Sequence, residues 1–363
     1  MSKAAELANL IGNINAGGGG VNRNVIINGA MNVAQRGTSS TGLGASSGYF
    51  TLDRFKMVCN NTAGRFTMTQ DSSAPDGFAN SLKLACTTAD TSIASNEEFG
   101  ILYRMEGQDL QHFKKGTSSA YPTTLSFYVK GNASATYVAE LMDSDNSSRH
   151  IGATFNVTTD WTRVEITFPG DTTGALDDDA NASLDLQFFL HAGSNNTSGT
   201  LQTSWGALAQ TNRAVGISSF FDSTSRTFFI TGVQLEVGQN ATEFEHEPFE
   251  RTLDKCRRYT FVMGGDGVYE RFAVGYNQSS TQARCQTFFP TTMRAVPSTT
   301  FTSPIIVASS ASAATINSIS VDYNSKTIGH VQYNVSSGLN TGDGCHIVAY
   351  DDLGARLIYD AEL

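Results

Sequence analysis

Apolar and polar residues alternate with a period of two along most of this chain. The pattern is clearest at residues 231–238, where Val233, Leu235 and Val237 alternate with Gln234 and Glu236. This is the period of a strand with one buried face. Further strands are predicted by the same pattern at 65–70, 81–85, 124–130, 136–141, 162–168, 183–190 and 226–236. Turns rich in Gly, Ser, Asn and Asp separate them, so we expect antiparallel sheets stacked in a β-sandwich.

A second group of short apolar runs follows a linker or short helical turn at 251–259. The predicted strands are 272–274, 283–289, 305–307, 316–321, 329–335, 346–350 and 356–359. The predicted fold class is therefore mainly β, with a second C-terminal β-sandwich domain. The domain boundaries are predicted at 1–21, 22–249 and 250–363. Residues 191–222 have few periodic apolar positions and are interpreted as a long loop, a feature that is often functional.

Helical periodicity is convincing only at the N-terminus, in residues 1–15. Leu7, Leu10, Ile11 and Ile14 form one apolar stripe, and Ser2 can cap the helix. A helix of this length is marginal in water by itself, so the stripe needs a surface to cover it. The glycines at 17–20 form a flexible joint behind it. We interpret the segment as an attachment or self-association helix, with a frayed amphipathic tail as the open alternative.

Composition and charge argue against several classes of function. The 363 residues carry 34 glycines, only 16% charged residues and a formal net charge of −10, which argues against nucleic-acid binding. The N-terminus has no apolar signal region, and no stretch approaches about 20 apolar residues, so secretion and membrane insertion are both disfavoured. Five scattered cysteines without a C-x-x-C pair are interpreted as buried thiols of a protein made in a reducing cytoplasm.

The sequence gives little support for catalysis or metal binding. There is no His-Glu-x-x-His pair, and the acidic run at 177–179 lacks the spacing of a calcium loop. We therefore predict no enzyme activity, no catalytic residue, no metal ligand and no cofactor. Aromatic rings can stack on sugars. Trp205 leads the candidate glycan contacts, followed by Tyr103 and Tyr121, whereas Trp161 is interpreted as a core residue.

Many short words in the chain resemble a family of bacteriophage tail-fibre and virion structural proteins. They run in order from about residue 22 to the C-terminus: NVIINGAM at 24–31, AQRG at 34–37, TLDRF at 51–55, EGQDL at 106–110, LSFYVK at 125–130, FPGDTTG at 168–174, ITGVQLEVG at 230–238, MRAVP at 293–297 and DAEL at 360–363. The resemblance implies a homotrimeric virion appendage and a jelly roll similar to carbohydrate-binding modules. In such a jelly roll the first and last strands pair, here residues 25–29 with 231–238. Thr231, Gly232 and Ala30 stand where acidic calcium ligands are common, which puts an inherited calcium site in doubt.

The expected function is that of a non-enzymatic phage tail fibre or adhesin. It would be located in the virion tail after assembly in the bacterial cytoplasm, would dock on other virion proteins through its N-terminus and would contact a host-surface glycan or protein. Three alternatives stay open: a capsid fibre or tail connector that binds no receptor, a free carbohydrate-binding module, and a glycan depolymerase, which the lack of a catalytic constellation disfavours.

Overall fold

The computed structural model describes residues 2–15, 22–302, 304–310 and 312–363, with the side chains of 9, 10 and 12–15 left out. In these ranges the protein is mainly β, which confirms the predicted fold class. The chain divides into two compact units, one ending at Thr252 and one spanning Leu253–Glu362. No helix in the described ranges is long and apolar enough to cross a membrane.

The N-terminal helix, α1, spans Lys3–Asn15. Ser2 caps it, because its Oγ accepts a hydrogen bond from the Ala5 N–H at 3.3 Å. Leu7 and Ile11 are 56% and 47% exposed, so this face of the helix is open to solvent. The side chains of Leu10 and Ile14 and the glycines at 17–20 lie outside the described residues. The attachment role of the stripe stays a prediction.

Two antiparallel sheets form the first unit. The strands are β1 (Ser39–Leu43), β2 (Lys56–Asn60), β3 (Arg65–Asp71), β4 (Ser81–Thr88), β5 (Glu98–Glu106), β6 (Thr123–Gly131), β7 (Ala135–Asp143), β8 (Arg149–Val157), β9 (Thr162–Phe168), β10 (Ala182–Ala192) and β11 (Thr227–Val237), with a single helical turn, α2, at Ser194–Thr197. The six-stranded sheet has the order β1-β3-β4-β11-β6-β9, and the five-stranded sheet has the order β2-β5-β10-β7-β8.

Aromatic side chains from the two sheets meet in one core. Phe66 of the six-stranded sheet lies 4.8 Å from Phe99 of the five-stranded sheet, measured between ring centroids. Phe127 and Phe188 meet in the same way at 5.1 Å. These rings are fully buried, so the first unit is a β-sandwich whose stability comes chiefly from apolar burial between the sheets.

The expected partner of the last strand is present, but as an irregular segment. β4 pairs with Thr227–Ile230, the first half of β11. Beyond that point the Val25 N–H donates to the Leu235 carbonyl at 3.1 Å, and the Val233 N–H donates to the Gly29 carbonyl at 3.0 Å. Residues 24–29 thus take the place of β4 beside the second part of β11. The change of partner coincides with a β-bulge at Gly232, where φ is +63°.

The second unit begins within α3 (Phe249–Arg257), and its described residues form nine further strands. The strands are β12 (Thr260–Met263), β13 (Arg271–Ser279), β14 (Gln282–Phe288), β15 (Ser298–Thr302), β16 (Ile305–Ser309), β17 (Ala313–Val321), β18 (Ile328–Val335), β19 (Gly344–Ala349) and β20 (Arg356–Asp360). β12, β20 and β15 form a small sheet, and the other six close into a barrel in the order β13-β14-β18-β17-β16-β19. A second sandwich was expected. Instead the sheet closes on itself, because β13 pairs with both β14 and β19 and no open edge remains in this ring.

Candidate functional site

Several loops meet at one end of the sandwich, which we call the loop end. It consists of residues 114–122 before β6, 144–148 between β7 and β8, 169–181 between β9 and β10, and 202–206 in the long segment after β10. The Asn146 side-chain amide donates to the Ala175 carbonyl at 2.8 Å, and the Gly116 N–H donates to the Asp171 carbonyl at 2.9 Å. These bonds join the loops into one surface.

Trp205 lies half-buried at the loop end. Its indole N–H donates to the Pro169 carbonyl at 2.8 Å, and the Lys115 ammonium lies 5.4 Å from the ring centroid. The next residue, Gly206, exchanges backbone hydrogen bonds with His150 of β8 at 2.9 and 3.2 Å. The indole is therefore held in a fixed orientation on an otherwise irregular segment.

Lys115 is the centre of a buried charge network beside the indole. Its side chain is 6% exposed, and its ammonium forms ion pairs with Asp143 and, at 3.1 Å, with Asp171. The same ammonium donates to the carbonyls of Thr173 and Gly174 at 3.0 and 2.9 Å. A buried ammonium needs this number of partners, so Lys115 joins its own loop and the 169–181 loop to the end of β7.

Asp171 also binds Arg149 in a bidentate pair. The Arg149 Nε and Nη2 donate to the two carboxylate oxygens at 3.0 and 3.1 Å. Burial raises the pKa of the Asp171 carboxyl, but the hydrogen bonds from Arg149, the Thr173 N–H and Lys115 outweigh it, so the pKa lies below its ordinary value. Asp171 is therefore ionised at neutral pH.

Tyr121 is half-buried beside the same loops. Its N–H donates to the Phe113 carbonyl at 3.0 Å. The Lys114 ammonium donates to the Tyr121 hydroxyl at 2.8 Å and lies 4.5 Å from the ring centroid. Gly170 packs so closely on Ala120 that a Cβ there would lie 2.3 Å from the Ala120 carbonyl oxygen. The Trp205 indole and the backbone of residues 120–121 thus contact the same short stretch, residues 169–170.

The placement of Tyr103 corrects its prediction as a glycan contact. Tyr103 lies in β5 and is 1% exposed. Its hydroxyl accepts a hydrogen bond from the Ile27 N–H at 2.7 Å, and its ring packs against Phe55 at 5.3 Å. Because β5 is buried on both faces, the ring presents no surface to a ligand.

Trp161, interpreted from sequence as a core residue, is half-buried on the outer face of the six-stranded sheet. Its ring lies 6.2 Å from that of Phe229, and the Lys130 ammonium lies 5.2 Å from its centroid. Trp161 therefore resembles Trp205 in exposure and in its lysine contact, but it stands on a sheet face rather than at the loop end.

A second polar cluster lies on the five-stranded sheet and was missed by sequence reasoning. Arg213, from the segment interpreted as a long loop, binds the buried Glu140, which also contacts His150 Nδ1 at 2.8 Å. On the neighbouring strand, burial raises the pKa of the Asp185 carboxyl to about 6, although Arg104 at 3.5 Å favours the charged form. These residues are far apart in sequence, and only the strand register brings them together.

A third cluster, Asp90, Glu97 and His191, was also missed by sequence reasoning. Asp90 and Glu97 lie in the loop between β4 and β5, and His191 lies near the end of β10. Their potential ligand atoms lie within 4.8 Å of one another, and all three residues are buried. The run at 177–179, in contrast, has Asp177 and Asp178 exposed.

Comparison with known proteins gives structural likenesses only. No protein-family model matches the chain, and no curated protein matches its sequence. A family 4 carbohydrate-binding module is similar at 11% identity and a TM-score of 0.30, over 58% of this chain and 97% of the module. The family 11 module of the Clostridium thermocellum cellulase Lic26A-Cel5E is similar at 14% identity and a TM-score of 0.28, over 56% and 98%.

A further likeness is to the enzymatically active domain of tailspike protein 4 of bacteriophage CBA120. Its identity is 11% and its TM-score 0.31, and the match covers 59% of this chain but 21% of that chain. At TM-scores of about 0.3 these likenesses decide nothing about function.

Proposed function

We propose that this chain is a non-enzymatic adhesin that contacts glycans through the loop end of its sandwich and serves as a tail fibre of a bacteriophage particle. The observation that carries the proposal is the position of Trp205 and Tyr121, two half-buried aromatic residues of the loop end. The Trp205 indole and the backbone at Tyr121 both contact residues 169–170. Beside them lies a charge network that fixes the loops. Rigid loops with aromatic side chains on a β-scaffold are a common form of recognition surface.

Sugar chemistry fits this surface. The axial C–H groups of a pyranose ring are apolar and pack on an aromatic face, while its hydroxyls need hydrogen-bond donors and acceptors around the ring. The loop end supplies aromatic rings in Trp205 and Tyr121, a cationic donor in Lys114 and an amide in Asn146. Arg149, the first residue of β8, lies beside it and binds Asp171. Asp143 and Asp171 are both ion-paired, which suits a structural role better than that of a hydrolytic carboxylate pair.

The virion part of the proposal has two supports. One is the series of sequence words shared with phage tail-fibre and virion proteins. The other is helix α1, whose Leu7 and Ile11 are exposed and can dock on another virion protein. A homotrimer would present three loop ends on one fibre, so weak single sites would add up through effective concentration.

The chain offers a direct test, since it has only two tryptophans. The variant Trp161→Phe leaves Trp205 as the single indole. Its fluorescence is then titrated with purified bacterial surface polysaccharides, including lipopolysaccharide O-chains and capsular polymers. We expect a saturable change in emission with at least one polymer. Calorimetric titration with that polymer, which needs no indole, should show a loss of at least tenfold in affinity in Trp205→Ala. Trp161→Ala, on a sheet face, is the matched control and should bind as the parent chain does.

The outcomes separate the proposal from its alternatives. Binding by a monomer would favour a free carbohydrate-binding module. A trimer that binds no polymer and no host cells would favour a capsid fibre or tail connector. A drop in polymer viscosity during incubation would contradict the non-enzymatic proposal.

A further inference from the structure

Asp90, Glu97 and His191 form a buried cluster, which we call the 90–97–191 cluster. The three residues are 6%, 4% and 0% exposed, and their nearest ligand atoms all lie within 4.8 Å of one another. Carboxylate and imidazole groups are the usual N/O ligands of divalent metal ions in proteins. The cluster thus brings three of the four ligands of a tetrahedral site together in the interior.

The cluster differs in charge balance from three other buried acids of the sandwich. Asp143, Asp171 and Glu140 are each paired with Lys115, Arg149 or Arg213. Within the described ranges, no lysine or arginine forms an ion pair with Asp90 or Glu97. Asp90 accepts hydrogen bonds from the Thr62 hydroxyl at 3.0 Å and the Ala63 N–H at 2.7 Å. These neutral donors leave its charge uncompensated.

Glu97 and His191 add to this imbalance. Glu97 accepts from the Ala94 N–H at 2.8 Å, and its other oxygen lies 2.9 Å from His191 Nε2. Two buried carboxylates with a neutral imidazole carry a charge of −2, which is costly in a protein interior. A divalent cation bound between them cancels that charge.

The surroundings of His191 suit a metal ligand. Its Nδ1 lies 2.8 Å from the Ser219 Oγ, which also accepts from the Phe221 N–H at 3.1 Å. A hydroxyl oxygen has two acceptor positions, so it can accept the His191 Nδ1–H as well. That tautomer directs the Nε2 lone pair at the two carboxylates, and such a hydrogen bond typically orients a ligating histidine. The Phe221 ring packs 5.3 Å from the imidazole and keeps this side apolar.

We propose that Asp90, Glu97 and His191 bind a divalent transition-metal ion, with Zn²⁺ as the first choice. One imidazole with two carboxylates is a ligand set for zinc and its neighbours rather than for Mg²⁺ or Ca²⁺, which prefer oxygen ligands throughout. Ligands of a tetrahedral zinc at about 2.1 Å lie roughly 3.4 Å apart. Side-chain rotations that shorten the separations of the ligand atoms by up to about 1.4 Å therefore bring them into the range of a tetrahedral site. A water molecule or a second carboxylate oxygen supplies the fourth ligand.

The bound ion is structural and lies far from the loop end. Ser183 of β10 accepts from the Ser144 N–H at 2.9 Å, which places the start of the strand at the loop end. His191 follows eight residues later, roughly 26 Å along the strand. The ion would tie the loop between β4 and β5 to β10 and, through Ser219, to the segment before β11. Loss of the metal should lower the unfolding free energy of the first unit and leave the loop end intact. The metal proposal can therefore be tested independently of the glycan-binding proposal.

The test uses the full chain without a histidine tag. The protein is dialysed against dipicolinate and then titrated with ZnCl2 by calorimetry, and bound metal is measured by mass spectrometry after gel filtration. We expect one zinc per chain and a Tm that rises with the logarithm of free zinc. The isosteric variants Asp90→Asn and Glu97→Gln should retain less than a tenth of the bound metal. The exposed acids provide the control, because Asp177→Asn with Asp178→Asn should bind as the parent does.

Absence of stoichiometric zinc, or equal zinc binding by Glu97→Gln and the parent chain, would overturn the proposal. If these variants fail to fold, X-ray absorption on the zinc-loaded parent gives the answer without a substitution. We expect one imidazole and only oxygen as the other ligands. A spectrum with sulfur ligands would place the ion at cysteines and contradict the assignment.

Discussion

Arg213 encloses the carboxylate of Glu140 inside the first unit. The Arg213 Nε lies 3.1 Å from both carboxylate oxygens, and Nη2 donates at 2.5 Å. The side chains are 9% and 0% exposed. Glu140 belongs to β7, whereas Arg213 belongs to the irregular segment after β10. This pair therefore fixes the segment that carries Trp205 to the five-stranded sheet.

Removal of the guanidinium should strongly destabilise the sandwich. In Arg213→Ala the buried Glu140 keeps only His150 as a charged or polar partner at 2.8 Å. An unpaired buried charge costs about 3–5 kcal/mol of unfolding free energy. Urea unfolding followed by tryptophan fluorescence reports on this unit, since both tryptophans lie in it.

The matched control for this experiment is an exposed ion pair of the same unit. Glu165 is 42% exposed and lies 3.0 Å from Arg163. Glu165→Gln should therefore change stability by less than about 1 kcal/mol. If Arg213→Ala lost no more than the control, the interpretation of Arg213 as the clamp of this segment would be wrong.

Asp185 should make the first unit less stable as pH rises from 4 to 6. Burial raises the pKa of its carboxyl from 3.8 to about 6, so the folded state holds a proton that the unfolded chain has released. The protonated Asp185 carboxyl stabilises the folded state fully when the pH is below its pKa in the unfolded chain. This stabilisation is lost as the pH rises through its pKa in the folded state. The loss amounts to roughly 3 kcal/mol.

Asp185→Asn should remove this pH dependence and stabilise the protein at pH 7. The measurement is the urea midpoint at half-unit steps from pH 4 to pH 7, with Asp178→Asn as an exposed control. An unchanged slope in Asp185→Asn would show that another group titrates in this range.

The alternating strands were predictable because each has one buried face. Residues 162–168 match β9 in both bounds, and the predicted 65–70, 124–130 and 226–236 lie within one residue of β3, β6 and β11 at each end. β2 and β5 were missed, since neighbouring residues on both of their faces are buried and the period of two disappears. β1 was missed for the opposite reason, because Ser39–Leu43 has almost no apolar residues.

How well each strand could be recognised from its pattern also determined which functional residues could be predicted. Trp205 could be identified as a candidate because it is a large aromatic residue in a polar segment, which the composition of the segment shows by itself. Tyr103 was misjudged because β5 was not recognised as a strand, so its burial was not foreseen. In the sequence, His191 lies about a hundred residues after Asp90 and Glu97. Only the pairing of β10 with β5 brings His191 near Glu97.

Gly232 should be required for the bulge in β11. Its φ is +63°, and a Cβ there would lie 2.8 Å from the Phe78 ring and 3.0 Å from the Tyr128 ring. Gly232→Ala should cost about 1–3 kcal/mol for the backbone strain alone, with the clash in addition. Gly42 has φ +71° and open space around it, so Gly42→Ala measures the strain without the clash. Equal losses of unfolding free energy in the two variants would exclude a steric role for Phe78.

The thiols should be unreactive until the protein unfolds. All five cysteines are buried thiols, and burial raises the pKa of Cys59 to about 12, although Arg65 opposes it. The hydrogen bond with Cys285 lowers the pKa of Cys345, but this residue is only 7% exposed. The thiolate is the reactive form, so native protein at pH 8 should react with a disulfide reagent at less than a hundredth of the rate of a free thiol. In denaturant five thiols per chain should appear. Rapid reaction of the folded chain would show that a thiol is more accessible than the structure indicates.

The oligomeric state tests where assembly resides. The barrel exposes Val274, Tyr276 and Tyr323 at 63%, 47% and 72%, whereas α1 exposes Leu7 and Ile11. Because the barrel surface remains when residues 1–20 are removed, we expect a trimer by light scattering for both the full and the truncated chain, with α1 left to bind the particle. Val274→Ser together with Tyr276→Ser should weaken the trimer, since exposed apolar area of this kind is typical of interfaces. A trimer that needs residues 1–20 would make α1 the assembly element, and a monomer in both cases would favour a free binding module over a fibre.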